Sequence, residues 1–158
     1  MTDTSDSGGD SADVLIVGAG PAGLALACAL SAVGLRATLL EQQTMVALAD
    51  PADDGREIAL THRARRVMTD LGLWQRLPDE EVAPLREARV LDGDSPSTLR
   101  FAAGTHDALG WLVSNHQIRR AAFHEALARP GVRLIDEARV SSLERQDSQA
   151  CVTLADGR

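Results

Sequence analysis

Short apolar runs alternate along this chain with glycine turns and stretches of helical periodicity. The first run, residues 14–17, is Val-Leu-Ile-Val and predicts a buried parallel strand. Gly18-x-Gly20-x-x-Gly23 follows and opens a helix that runs to about Val33, with Ala27 and Leu30 on its inner face. Gly34 is placed to end that helix, because glycine adopts the left-handed C-cap without steric cost. Residues 37–40 form a second strand that ends in Glu41.

Residues 42–57 are rich in Asp, Ala and Gly and read as a loop. Thr61 is a good N-cap for the next helix, in which Ala64, Val67, Met68 and Leu71 fall on one face. Gly72 caps that helix, and Pro78 and Pro84 bracket an acidic connector. Residues 87–91 and 98–101 read as a strand and its return, joined by a turn through Asp92-Gly93-Asp94. A short extended segment, 111–113, leads to Ser114 or Asn115 as the cap of a helix reaching Leu127. In that helix Ile118, Ala121, Ala122 and Ala126 face inward, and Arg129-Pro130-Gly131 stops it. Residues 132–135 form another parallel-type strand, and 138–144 and 150–154 are neighbours in an antiparallel meander. Asp156-Gly157 then gives a hairpin signal with no returning strand, so the expectation is the front part of a longer protein.

Composition changes this picture in a few places. The chain has 158 residues, 44% hydrophobic, but only 3% aromatic and no Tyr, so the core is expected to be Ala, Leu and Val. A net charge of −7 argues against a nucleic-acid partner or a polybasic membrane contact. No apolar run approaches the roughly 20 residues that a transmembrane helix needs. Residues 1–12 are Ser/Asp/Gly-rich and lack the basic and apolar regions of a signal peptide, so a flexible tail is expected. Cys28 and Cys151 form no framework and point to a reducing, cytoplasmic compartment. His62, His106, His116 and His124 show no metal-ligand spacing, and no metal site is expected.

The chemistry concentrates at Gly18, Ala19, Gly20, Pro21, Ala22 and Gly23. Gly18 permits the tight turn, Gly20 lets a pyrophosphate approach the backbone, and Gly23 lets helix and strand pack closely. The helix N-terminus offers free N–H groups and the positive end of its dipole. Glu41 lies near the expected distance, about 20 residues on, where a carboxylate accepts from a ribose diol. An acid there favours a free 2′-hydroxyl, hence FAD or NAD rather than NADP. No Ser-His-Asp, Cys-His or paired-carboxylate group claims a catalytic role, and Asp53-Asp54 reads as a solvated loop.

Two further segments carry a resemblance: residues 54–61, Asp-Gly-Arg-Glu-Ile-Ala-Leu-Thr, with Leu71-Gly72-Leu73-Trp74 after them, and Leu109-Gly110-Trp111-Leu112-Val113-Ser114-Asn115 before Ile118 and Arg119-Arg120-Ala121. With the glycine motif, they make the chain similar to the flavoprotein aromatic hydroxylases of ubiquinone biosynthesis (the UbiH/UbiF/UbiM group), within the para-hydroxybenzoate-hydroxylase class. The fold this implies is α/β: a Rossmann-like FAD-binding fold of glutathione-reductase type, with a parallel sheet and a β-meander, incomplete at the C-terminus. Residues 13–158 would be the N-terminal part of the FAD-binding domain, with 85–112 the start of an inserted substrate-side segment.

The resemblance implies FAD on the glycine turn, with Glu41 at the adenosine ribose, Gln42 beside it and Val140 bordering the adenine. Arg56 matches an arginine that approaches the cofactor; the competing reading is a loop charge paired with Asp53, Asp54 or Glu57. Asn115 matches a cofactor-touching position, and a plain helix cap is its other reading. The implied activity is hydroxylation of a lipophilic polyprenylphenol or quinone precursor with NAD(P)H as co-substrate and O2. Peripheral association with the inner membrane or a ubiquinone-biosynthesis complex would accompany it. The Gly-Asp motif and substrate-covering sheet of full members are not in these residues, so weak or no FAD binding, no activity and a tendency to self-associate are expected of the chain alone. Another FAD-dependent oxidoreductase of this fold and a truncated, non-catalytic nucleotide-binding fragment are the alternatives.

Overall fold

A computed structural model describes residues 12–93, 98–104 and 107–158. The tail 1–11, Asp94 of the turn and His106 lie outside the described residues. The first layer is a parallel sheet of β1 (Val14–Val17), β2 (Ala37–Leu40) and β8 (Val132–Ile135), in the order β1-β2-β8. Between β1 and β2 the chain crosses over through α1 (Pro21–Ala32), which packs on α4 (Asn115–Leu127) over one face of the sheet. Ile16, Ala37 and Leu39 point into that layer against Leu24, Ala27, Cys28 and Ala122. On the opposite face Leu40 packs with Ala138 and Leu154, beneath the antiparallel pair β9 (Val140–Arg145) and β10 (Ala150–Leu154). Covered on both sides, every residue of β2 is buried, as a central parallel strand requires.

β1 departs from the expectation of a buried strand. It is the sheet edge among the described residues, and Val17 is 60% exposed. Ile16 alone is buried in this strand, because only the α1 face and the β2 side are covered. The core is Ala and Leu as expected, but Val is mostly outside it. Val113 is fully buried, whereas Val33, Val46, Val67 and Val90 are exposed.

The loop expected over 42–57 contains a short helix, α2 (Met45–Ala49). Thr44 Oγ1 accepts from Ala47 N at 3.3 Å, and Asp136 Oδ2 accepts from Met45 N at 2.7 Å, so its first turn is capped from two places. Asp136 is remote in sequence, which is why composition alone suggested a loop. A second sheet, β3-β7-β4, is antiparallel and formed by β3 (Glu57–Thr61), β7 (Gly110–Ser114) and β4 (Val82–Leu85). Neither β3 nor β4 was expected. β4 lies in the acidic connector and carries Pro84, which an edge strand tolerates.

Thr61 caps α3 (His62–Asp70) as expected, accepting from Ala64 N at 3.1 Å. Met68 is buried in this helix, but Val67 is exposed, because the helix rests on the sheet by a narrower stripe than its apolar residues suggested. Both α1 and α3 end on glycine. Leu35 N donates to Leu30 O and Gly34 N to Ser31 O, and the same pattern recurs at Leu73–Met68 and Gly72–Thr69. β5 (Glu87–Leu91) and β6 (Thr98–Ala102) pair as a hairpin. Among the described residues no helix is long and apolar enough to cross a membrane.

Candidate functional site

Three consequences of the glycine spacing can be read from the backbone. Gly18 has φ +100°, the left-handed side that makes the turn. A Cβ on Gly23 would stand 2.2 Å from Gly18 O, so only glycine lets α1 approach the turn. A Cβ on Gly20 would meet nothing within 4 Å, so the space over this backbone is open, as a pyrophosphate cradle needs. Gly20 is the N-cap of α1, and no side chain caps it. Pro21 takes the first helical position, where its missing N–H is not needed. The first-turn N–H groups of Ala22 and Gly23 therefore face the opening without an intrahelical acceptor.

Glu41 is only 8% exposed at the end of β2. Its Oε2 accepts from Ala19 N at 2.7 Å and its Oε1 from Gln43 N at 2.9 Å. Its main chain is equally tied, with Glu41 N donating to Ile135 O at 3.0 Å and Ala138 N donating to Glu41 O at 2.8 Å. Gly18 N completes the frame by donating to Leu40 O at 2.8 Å. The carboxylate thus holds the glycine turn in place while each oxygen keeps a second lone pair for an outside donor. Glu137 has φ +49°, a left-handed conformation that few non-glycine residues take, and its N–H donates to Gln43 O. That bend carries the chain from β8 to β9 past the glycine turn.

A cleft of about 260 Å³ opens here, lined by Val17, Gly18, Glu41, Gln42, Arg139 and Val140 among others. Gln42 is exposed on its rim, and Val140 is half-buried at the start of β9. Arg139 was not anticipated; its position beside Val140 in the meander is the signal that could have found it.

Arg56 and Asn115 do not line this cleft and meet instead at Asp54. Arg56 donates through Nε at 2.8 Å and through Nη2 to Asp54 Oδ2. Asn115 Nδ2 donates to the same oxygen at 2.8 Å. The main chain closes the cluster, because Asn115 N donates to Arg56 O at 2.8 Å. Ser114, not Asn115, caps α4, with Oγ accepting from Gln117 N at 3.3 Å, which leaves the Asn115 amide free for Asp54. Asp54 is therefore the centre of this group within an exposed loop, and the pairing of Arg56 with Asp54 is the second of the two readings of Arg56. Asp53 and Asp54 each accept from the backbone N–H two residues on, an Asx arrangement that the Asp-Gly spacing foreshadows. The Arg56 guanidinium, then the Asn115 amide, hold the Asp54 carboxyl well below the usual carboxylate range. The Arg56 side chain is 68% exposed, so this is a surface pair with a modest stake in stability.

The family described as FAD binding domain matches residues 11–158. Among characterised proteins, the chain is 43% identical over 152 residues to the ubiquinone hydroxylase UbiM of Neisseria meningitidis, covering 92% of this chain and 33% of that protein. It is 35% identical over 148 residues to the ubiquinone hydroxylase UbiL of Rhodospirillum rubrum, covering 93% of this chain and 34% of that one. The chain thus spans about a third of the length of these relatives. Among solved structures, PqsL of Pseudomonas aeruginosa, a probable FAD-dependent monooxygenase, superposes with a TM-score of 0.68 at 26% identity, covering 93% of this chain and 39% of that one. A glycine turn open at Gly20, an acid fixed at the end of β2 and a family match over almost the whole length agree, and the chain belongs to the FAD-binding domain family.

Proposed function

We propose that this chain is the nucleotide-holding front part of an FAD-dependent monooxygenase that hydroxylates the aromatic ring of a polyprenylphenol or quinone precursor in ubiquinone biosynthesis. The observation that carries the reading is the 43% identity to a ubiquinone hydroxylase over a stretch that contains the whole Glu41 cleft. One atom of O2 enters the ring and the other leaves as water, with electrons from NAD(P)H. FAD, when bound, supplies the electron transfer and oxygen activation.

The chain's own residues bind and orient. Gly18, Ala19, Gly20, Pro21, Ala22 and Gly23 would form the turn that cradles the pyrophosphate, with the N–H groups of Ala22 and Gly23 and the α1 dipole directed at it. Glu41 accepts from the ribose diol, and Gln42 and Val140 border the adenosine. Arg56 and Asn115 approach the cofactor from the Asp54 cluster, where the guanidinium offers positive charge and the amide a donor. The lipophilic substrate suits a cytoplasmic protein that works at the inner membrane surface or beside other enzymes of the same synthesis.

Heat release of the bound ligand from the whole protein, followed by mass measurement, is expected to give FAD. Recovery of NAD, or of no flavin, overturns the cofactor assignment. A strain lacking the gene is expected to accumulate an under-hydroxylated quinone precursor. An unchanged quinone profile in that strain overturns the substrate assignment.

A further inference from the structure

A second cavity lies between α4 and the 3-10 turn Trp74–Arg76, and none of its lining residues lines the Glu41 cleft. It measures about 360 Å³. Gln117, Arg120, Ala121 and His124 reach it from one stripe of α4, at the helical spacing that puts them on a single face. Arg76 reaches it from the turn opposite. No carboxylate lines it among the described residues, and its charged and ring side chains are hydrogen-bond donors.

The local charge is unbalanced. Arg76 is paired with Glu125 at 2.6 Å, and Glu125 is shared with Arg129 at 2.8 Å. Among the described residues Arg120 has only Asp50 as an ion-pair partner, at 3.9 Å, beyond hydrogen-bond reach. Asp50 is 81% exposed, so water screens what attraction remains. Three guanidiniums thus meet two carboxylates. Arg120 Nε is also buried without an acceptor, a state that proteins seldom leave uncompensated. A cationic fork with an unfilled donor, in a cavity lined by a second guanidinium and an imidazole, fits a tetrahedral oxyanion.

We propose that this cavity is a phosphate site, in which Arg120 and Arg76 supply the charge and His124 and Gln117 the flanking donors. The shared chemistry is a phosphate group, either free or as an organic monoester. Asp50, 3.9 Å from Arg120 Nε, is the carboxylate that would compete with the anion.

Titration of the chain with inorganic phosphate and, separately, with phenyl phosphate tests this, read from the His124 ring and Arg120 Nε–H resonances. These probes carry no adenosine, and the signals report this cavity rather than the glycine turn. Saturable shifts are expected. A response to phosphate alone assigns the free ion, and a stronger response to phenyl phosphate assigns the ester. Arg120→Gln, read at His124, is expected to weaken binding at least about tenfold, the scale of one charge-assisted hydrogen bond. Arg76→Gln should weaken it as well, and Arg120→Lys should fall between, keeping the charge without the planar fork. Asp50→Asn should tighten it by removing the competing carboxylate. Absence of saturation, an unchanged titration in Arg120→Gln or Arg76→Gln, or weaker binding in Asp50→Asn each overturns the proposal. Arg120→Lys and Asp50→Asn keep the test valid if Arg120→Gln does not fold.

Discussion

At the scale of single residues, the three glycines of the turn separate into two kinds. Gly20 borders open space, so Gly20→Val should leave the sheet intact and abolish FAD retention, because a branched side chain would fill the place of the pyrophosphate. Flavin content and far-UV circular dichroism of the variant check this; a yellow Gly20→Val protein would place the phosphate elsewhere. Gly23→Ala should act on folding instead. Its Cβ would collide with a backbone oxygen at 2.2 Å, and a loss of about 1–3 kcal/mol is expected from the urea midpoint. Glu41 joins both roles. In Glu41→Gln one of the two backbone N–H donors that it satisfies would face an amide N–H₂, and FAD affinity should fall by roughly 1.5–3 kcal/mol in a titration of apo-protein. Asp54 gives a pH prediction. Its carboxyl titrates below the ordinary value because Arg56 and Asn115 favour the charged form. The cluster is therefore intact above the ordinary carboxylate range, and its contribution is lost as pH falls through the depressed value. A carboxyl carbon titration by NMR should show an Asp54 midpoint below the ordinary aspartate value; an ordinary midpoint would mean that the cluster does not persist in solution.

Helices and strands show where pattern reading succeeds. α1, α4 and β2 were legible because their apolar spacing, glycine stops and burial on both faces agree. α2, β3 and β4 were not. A five-residue helix has no periodicity to read, and its second cap comes from Asp136 across the fold. β3 and β4 owe their existence to β7 between them, and a strand that is stable only beside its neighbour leaves a weak local trace. The end of α3 is a place where element and tertiary contact coincide. Gly72 has φ +80°, and a Cβ there would stand 2.7 Å from Glu125 Oε1, the carboxylate shared by Arg76 and Arg129. Gly72→Ala should cost about 1–2 kcal/mol for the left-handed backbone alone. Thermal or urea unfolding should show at least that much, and a smaller loss would mean that the cap relaxes.

At the scale of the whole molecule, one patch of exposed apolar surface lies on a hairpin. Val90 pairs with Leu99 and Ala88 with Phe101 across β5 and β6, and Val90, Leu99 and Phe101 are exposed. An apolar face of this kind favours association. Light scattering of the chain should show a mass that rises with concentration, and Val90→Thr with Phe101→Lys should suppress the rise. A monomer at all concentrations would show that water tolerates the face.

The glycine turn and the Glu41 frame were readable in the sequence because the residues that build them are local. Gly18 to Glu41 make one strand–turn–helix–strand unit, and its geometry follows from backbone sterics and short spacing. Asp54 lies in an exposed loop and pairs with Arg56, as one sequence reading allowed, but its second partner Asn115 is 61 residues away, and nothing in the loop announces which helix start will settle beside it. The Arg120 cavity was invisible for the same reason. The edge exposure of β1 was also a tertiary outcome, since an apolar run specifies a strand but not how many neighbours cover it. Local sterics and periodicity therefore determined the strand–turn–helix–strand unit from sequence alone. The packing of distant segments decided which charges meet, because a side chain's partner is chosen by the path of the whole chain.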